Sequence, residues 1–122
     1  MAEQTQIPVY LFTGFLEAGK TKFIQETLED KRFNNGEPTL LLVCEEGIEE
    51  FEPEEFSGHR VKLKAVEEES DLTPENLEAW LKAADAERVL VEYNGMWMLD
   101  SLYGALPDGW LVAQEFILNR PD

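Results

Sequence analysis

A glycine-rich stretch near the start of the chain carries the residue types that bind phosphate. It reads Gly-x-x-x-x-Gly-Lys-Thr, with Gly14, Gly19, Lys20 and Thr21 at the defining positions. Glycines let successive backbone N–H groups point at a phosphate, the lysine adds a positive charge, and the hydroxyl suits Mg²⁺. The pattern therefore predicts a cradle for the phosphates of a nucleoside triphosphate, provided that a strand precedes it and a helix follows.

The flanking residues supply that context. Residues 7–13 form an apolar, β-rich run, which predicts a buried strand. Residues 20–33 predict an amphipathic helix that ends at the stop signal of residues 34–36. The predicted phosphate-binding set is Gly14, Glu17, Ala18, Gly19, Lys20, Thr21 and Lys22.

An acidic residue ends another apolar run further along the chain. This residue is Glu92, and Gly95 follows three positions later. A carboxylate at a strand end near such a loop can hold Mg²⁺ or orient an attacking water. We therefore predict Thr21 and Glu92 as Mg²⁺ ligands and Lys20 and Glu92 as catalytic residues; the alternative is a helix N-cap or a solvated strand end.

The remaining periodicities predict an alternating α/β chain. Thr73 is expected to cap a helix that starts at Pro74. Met96, Trp97 and Met98 could cover the site, but packing in the core is the commoner outcome and is expected here. The order β-α-β-β-α-β-α-β predicts one domain, residues 1–122, with three layers: a mainly parallel sheet and helices on both faces. The further predicted strands are 39–44, 59–66, 88–95 and 109–118, and the further helices are 73–86 and 96–106.

Composition restricts the partners. The chain has ten Lys and Arg and 26 Asp and Glu, which give a formal net charge of −16. A surface with this charge repels nucleic acid and anionic membranes. Cys44 is the only cysteine, so an internal disulfide is impossible, in keeping with a cytoplasmic location. No apolar run approaches the roughly 18 residues of a membrane span. The first ten residues have no basic flank and no long apolar core, so they are not expected to be a secretory signal.

Three segments together resemble one family. Residues 7–21, IPVYLFTGFLEAGKT, resemble the opening of CobW-like GTPases, relatives of the HypB and UreG metallochaperones. VEYNGM, from Val91, resembles the family's acid-x-x-Gly element, and VCEEGIEE, from Val43, is similar to its switch segment. The resemblance implies a P-loop NTPase-like fold that binds GTP with Mg²⁺ and hydrolyses it slowly as a switch. It also implies a client metalloprotein as partner, and a catalytic role for Glu45 or Glu46 in completing the metal shell or orienting water.

The chain departs from the family pattern at several positions. Glu17 replaces the middle glycine of the loop, Lys22 a second threonine and Cys44 an asparagine. A single cysteine cannot form the family's Cys-x-Cys-Cys metal motif. Because CobW-like chains have a longer GTPase domain and a separate C-terminal domain, the resemblance implies that this chain is the N-terminal, truncated part of a longer protein, whose remainder would be a further partner.

Three of these sequence patterns have more than one interpretation. The loop is also compatible with a nucleotide-binding module that does not hydrolyse, and with a phosphotransferase that uses ATP. Residues 119–122, Asn-Arg-Pro-Asp, are either a guanine-reading element or a strand end and turn. Cys44, Glu45, Glu46 and His59 are either a mixed metal site or a buried thiol beside solvated polar groups.

Overall fold

A computed structural model describes five strands and three α-helices in the predicted order. The elements are β1 (Ile7–Gly14), α1 (Lys20–Glu29), β2 (Thr39–Val43), β3 (Val61–Ala65), α2 (Pro74–Ala84), β4 (Arg88–Glu92), α3 (Leu99–Ala105) and β5 (Trp110–Leu118). A short 3₁₀ helix, Glu69–Asp71, precedes α2. The described residues are 6–14, 20–34, 36–44, 51–52, 56 and 60–118.

The strands form one parallel sheet in the order β3-β2-β4-β1-β5. β2 and β4 lie inside the sheet and are buried along their whole length, as their continuous apolar sequences predict. The connection from β1 through α1 crosses β4 to reach β2, whereas the connection from β4 through α3 crosses β1 to reach β5. β1 and β4 are therefore neighbours whose outgoing connections run to opposite sides. Parallel α/β sheets bind ligands at such a switch point, beyond the carboxyl ends of the strands.

Helices cover both faces of the sheet. Because successive strand residues point to opposite faces, Phe12 packs with Ile24 and Leu28 of α1 on one face. Leu11 lies on the other face, in a cluster that contains Leu77 of α2 and residues of α3. This confirms the predicted α/β architecture with helices on both faces. In the described part of the chain, no helix has the length and apolar character that crossing a membrane requires.

The start of α2 confirms the predicted cap. The Thr73 hydroxyl accepts a hydrogen bond from the Asn76 N–H at 3.1 Å, and Pro74 occupies the first turn. This bond satisfies one of the backbone donors that a helix start leaves without an intrahelical partner. Pro74, which has no backbone N–H, leaves no donor unsatisfied at its own position. Both residues therefore favour the start of the helix at this point.

Two helix boundaries differ from the predictions, and both differences have the same cause. α1 ends at Glu29 because the Asp30 carboxylate accepts the Arg32 N–H at 2.8 Å and turns the chain. The Arg32 side chain also donates to Asp30, and these bonds lower the pKa of Asp30 to about 2. α3 starts only at Leu99 because the Asn94 side chain accepts the Met96 N–H at 2.8 Å. Asn and Asp compete with helix formation in this way.

The second of these turns also changes the environment of three apolar residues. Met96 is 92% exposed and Met98 is 64% exposed, so the prediction that they pack in the core is wrong. Trp97 between them packs against the core cluster beneath α2 and α3, as predicted. The turn directs only the tryptophan inward.

Candidate functional site

The site lies where the carboxyl ends of β1 and β4 meet. Phe12 of β1 pairs with Glu92 of β4 in the parallel register. The Tyr93 N–H donates to the Phe12 carbonyl at 2.9 Å, which extends the pairing one residue beyond β4. The predicted acid is therefore held beside the strand that leads into the glycine-rich stretch.

A short hydrogen bond connects two predicted site residues across the sheet edge. The Thr21 hydroxyl of α1 donates to a Glu92 carboxylate oxygen at 2.6 Å, although 71 positions separate them. Glu92 is only 2% exposed, so the alternative of a solvated strand end is wrong. A hydroxyl and a carboxylate are hard oxygen donors of the kind that Mg²⁺ prefers. The two predicted metal ligands are thus adjacent, and their donor types fit that ion.

Two glycines bring the backbones on either side of this pair into contact. Gly14, at the end of β1, has φ 140°, a conformation that residues with side chains rarely adopt. A Cβ atom added to Gly95 would lie 2.9 Å from the Gly14 carbonyl oxygen, closer than such atoms approach in proteins. The turn after β4 therefore requires glycine in order to pack against the start of the glycine-rich stretch.

Replacing Gly95 with alanine is expected to lower the free energy of unfolding by about 1–3 kcal/mol, because backbone must move to accept the methyl group. Gly104 in α3 is a matched control, since a Cβ there meets nothing within 4 Å. Gly104→Ala should raise stability by up to about 1 kcal/mol, the difference in helix propensity. Urea titration of both variants measures the effect. Equal stabilisation by both changes would contradict the tight contact.

The first turn of α1 has an unusual charge for this chain. It contains Lys20, Thr21 and Lys22 and no acidic residue, whereas α2 has Glu75 and α3 has Asp100 in the first turn. Acidic residues usually occupy this position because the helix dipole makes the N-terminus positive. Within α1 itself, no acidic side chain of the first turn offsets this positive end.

The segment after β2 is attached to the same helix. The Gln25 side chain, one turn after Thr21, donates to the Glu52 carbonyl at 3.1 Å and accepts the Glu52 N–H at 2.9 Å. Phe51 and Phe56 are buried in the cluster beneath α1. The sequence contains no signal for this amide contact, because a glutamine in a helix usually faces solvent.

A second unpredicted contact fixes the chain between β4 and α3. The Glu69 carboxylate accepts the Met98 N–H at 3.1 Å and the Ser101 hydroxyl at 2.5 Å, so it caps α3 from a distant segment. The Tyr93 hydroxyl donates to the Met98 carbonyl at 2.6 Å. Burial, followed by the nearby Glu69 carboxylate, raises the pKa of Tyr93 to about 12. These bonds position the residues that follow Glu92.

Several predicted residues lie outside the described part of the chain. Lys20 begins α1, but its side chain is not among the described groups, and Lys22 is exposed.

Cys44, a member of the possible mixed metal site, is buried in the core. The described residues contain no group of three or more His, Cys, Asp or Glu able to hold a metal ion. The mixed metal site stays a prediction, since its other members are not described. The residues outside are Glu17, Ala18, Gly19, Glu45, Glu46, His59 and 119–122.

Comparisons of the chain with protein-family models, with curated proteins and with solved structures found no match in any of the three.

Proposed function

We propose that this chain binds a nucleoside triphosphate with Mg²⁺ at the carboxyl ends of β1 and β4, in the manner of P-loop NTPases. The observation that carries the proposal is the 2.6 Å bond between the Thr21 hydroxyl and the buried Glu92 carboxylate. These residues occupy the two positions at which the sequence pattern requires a hydroxyl and an acid.

The parts of the site would act through different forces. Backbone N–H groups at the start of α1, together with the Lys20 ammonium, would bind the β and γ phosphates. Thr21 and Glu92 would hold Mg²⁺, which supplies charge neutralisation between the phosphates. The local positive charge of the first helical turn would work against the net charge of −16, so binding should depend on close contact and not on long-range attraction.

GTP is the expected nucleotide, and slow hydrolysis as a switch is the expected reaction, because of the CobW-like sequence pattern. Glu45 or Glu46 would complete the metal shell or orient the attacking water, and a client metalloprotein would respond to the nucleotide state. Competition between GTP and ATP distinguishes this function from ATP-dependent phosphoryl transfer. A single-turnover assay distinguishes hydrolysis from simple nucleotide binding.

The magnesium requirement gives the most direct test of the proposed site. Fluorescent GTP should bind with Mg²⁺, and its affinity should fall when EDTA replaces the metal. In the wild-type protein the two conditions should differ about tenfold or more in Kd. Thr21→Val should abolish most of this difference, because the substitution removes the hydroxyl and keeps the shape of the side chain. Titration of the wild-type protein and the variant in both buffers measures the change.

Thr27→Val is the matched control for that experiment. Thr27 lies on the same helix, and its hydroxyl donates to the Phe23 carbonyl at 2.8 Å. This variant should keep the wild-type response to Mg²⁺. If Thr21→Val and Thr27→Val respond alike to the metal, the proposed site is wrong.

A further inference from the structure

The two edges of the sheet differ in their protection against further strand pairing. β3 is five residues long and presents Lys62 and Lys64 as exposed side chains. Short length and lysine are the usual means by which edge strands avoid pairing with another chain. β5 is nine residues long and contains neither lysine nor proline. Among the described strands, β5 pairs with β1 and with no other.

β5 also exposes apolar side chains on both faces of the sheet. Val112 packs with the cluster beneath α2 and α3, so its neighbour Leu111 points to the α1 side. The pairing with β1 shifts register after Val112, so that Phe116 lies on the opposite face and packs with the cluster beneath α1. Ile117 therefore points to the α3 side. Leu111 is 50% exposed and Ile117 is 66% exposed. An added strand would bury both, as the inner strands β2 and β4 are buried.

Neighbouring rings extend the apolar surface on each side of this edge. On the α1 side, Phe116 stacks on Phe12 with ring centroids 4.7 Å apart, and the partly exposed Phe23 packs at 5.6 Å from Phe116. On the α3 side, Tyr103 is partly exposed. Its pKa is raised by burial and then by the Glu115 carboxylate of β5, which places the tyrosine near that strand.

The charge around this edge has one sign. From residue 89 to residue 118 the sequence contains no Lys, Arg or His. Asp100, Asp108 and Glu115 are exposed within that range. A second copy of this chain would bring a further net charge of −16 toward the same surface, whereas a basic segment would be attracted.

We propose that the edge of β5 that no described strand pairs with binds an extended, lysine- or arginine-containing segment of another protein, which adds to the sheet as a further strand. Backbone hydrogen bonds to β5 would supply affinity, and apolar side chains of the segment would cover Leu111 and Ile117. At its carboxyl end this surface lies beside the start of the glycine-rich stretch, because Ile117 pairs with Thr13 of β1.

The test uses a fluorescein-labelled peptide of about ten residues, with valine and isoleucine in the centre and lysine at both ends. Fluorescence anisotropy should show binding, and amide hydrogen exchange should slow in β5. Ile117→Lys should weaken binding about tenfold. Met98→Lys is the matched control, because Met98 is 64% exposed and the change in charge is the same; its affinity should stay near that of the wild type.

A second peptide, N-methylated at alternate residues, keeps the side chains and the charge but loses the donors that strand pairing requires. It should not bind. Binding of this peptide with unchanged affinity, or failure of the unmodified peptide to bind, would overturn the proposal. A concentration-dependent dimer with protected β5 amides, measured by sedimentation and hydrogen exchange, would overturn it in favour of a second copy as the occupant.

Discussion

Replacing Arg88 with alanine is expected to lower the free energy of unfolding by about 3 kcal/mol, the usual effect of removing a buried charged partner. Arg88 opens β4 and is 7% exposed. Its guanidinium donates to the Thr39 hydroxyl at 2.7 Å, the Phe33 carbonyl at 2.9 Å and the Asn34 side chain at 3.4 Å. It also lies over the Phe33 ring at 4.3 Å. The variant would leave these acceptors without their donor and open a cavity beneath β2 and β4.

Arg32→Ala is the control for this prediction. Arg32 pairs with Asp30 at 2.8 Å, but its side chain is 91% exposed, so its loss should not change stability measurably. Chemical denaturation of both variants gives the comparison. Burial lowers the pKa of Arg88, while the Glu37 carboxylate at 3.8 Å raises it; the guanidinium keeps its charge at neutral pH. An equally small effect for both arginines would show that the buried network contributes little.

The Arg88 contacts also separate stability from the proposed function. Arg88 and Glu92 are the first and last residues of β4, about 13 Å apart at the usual rise per residue. Arg88→Ala should therefore leave the nucleotide affinity of the folded protein unchanged. A loss of affinity without unfolding would indicate that the contacts of Arg88, at the amino end of β4, affect the nucleotide site at its carboxyl end.

The element order could be predicted because each element has a strong periodic pattern. The apolar residues 89–91 are typical of a buried strand, and the alternation of Lys62 and Lys64 with apolar residues is typical of a half-exposed one; the structure has both. Helix ends were less predictable. Asp30 and Asn94 each form a side-chain turn that competes with helical hydrogen bonds, and sequence periodicity does not report such local competition.

In the candidate site, too, residues of a local sequence motif were predictable, whereas contacts between distant segments were not. Thr21 and Glu92 were predicted because a phosphate-binding loop requires both, and the structure brings them to 2.6 Å. The contact of Gly95 with the Gly14 carbonyl joins residues 81 positions apart, as 95 − 14 gives, and depends on how two strand ends pack. The Glu69 cap of α3 likewise depends on tertiary structure, since nothing in the local sequence links that acid to the helix.

The largest functional effect is expected at Lys20, the first residue of α1. Lys20→Ala should weaken binding of GTP with Mg²⁺ about a hundredfold, because charge-assisted bonds to phosphate contribute about 1.5–3 kcal/mol each. The residue begins a helix and alanine is a good helix former, so the free energy of unfolding should change little. Titration with fluorescent GTP measures the affinity, and urea denaturation verifies that the variant folds.

Lys31→Ala provides the control. Lys31 is exposed and follows α1, and its substitution removes the same single positive charge from the chain. If Lys20 acts only by reducing the net negative charge, both variants should weaken binding equally, and high salt should abolish the difference from wild type. If Lys20 binds phosphate directly, its variant alone should lose affinity, and the loss should persist in salt. Equal affinities of the Lys20 variant and the wild type, in a protein that binds GTP, would contradict the phosphate-binding function of this loop.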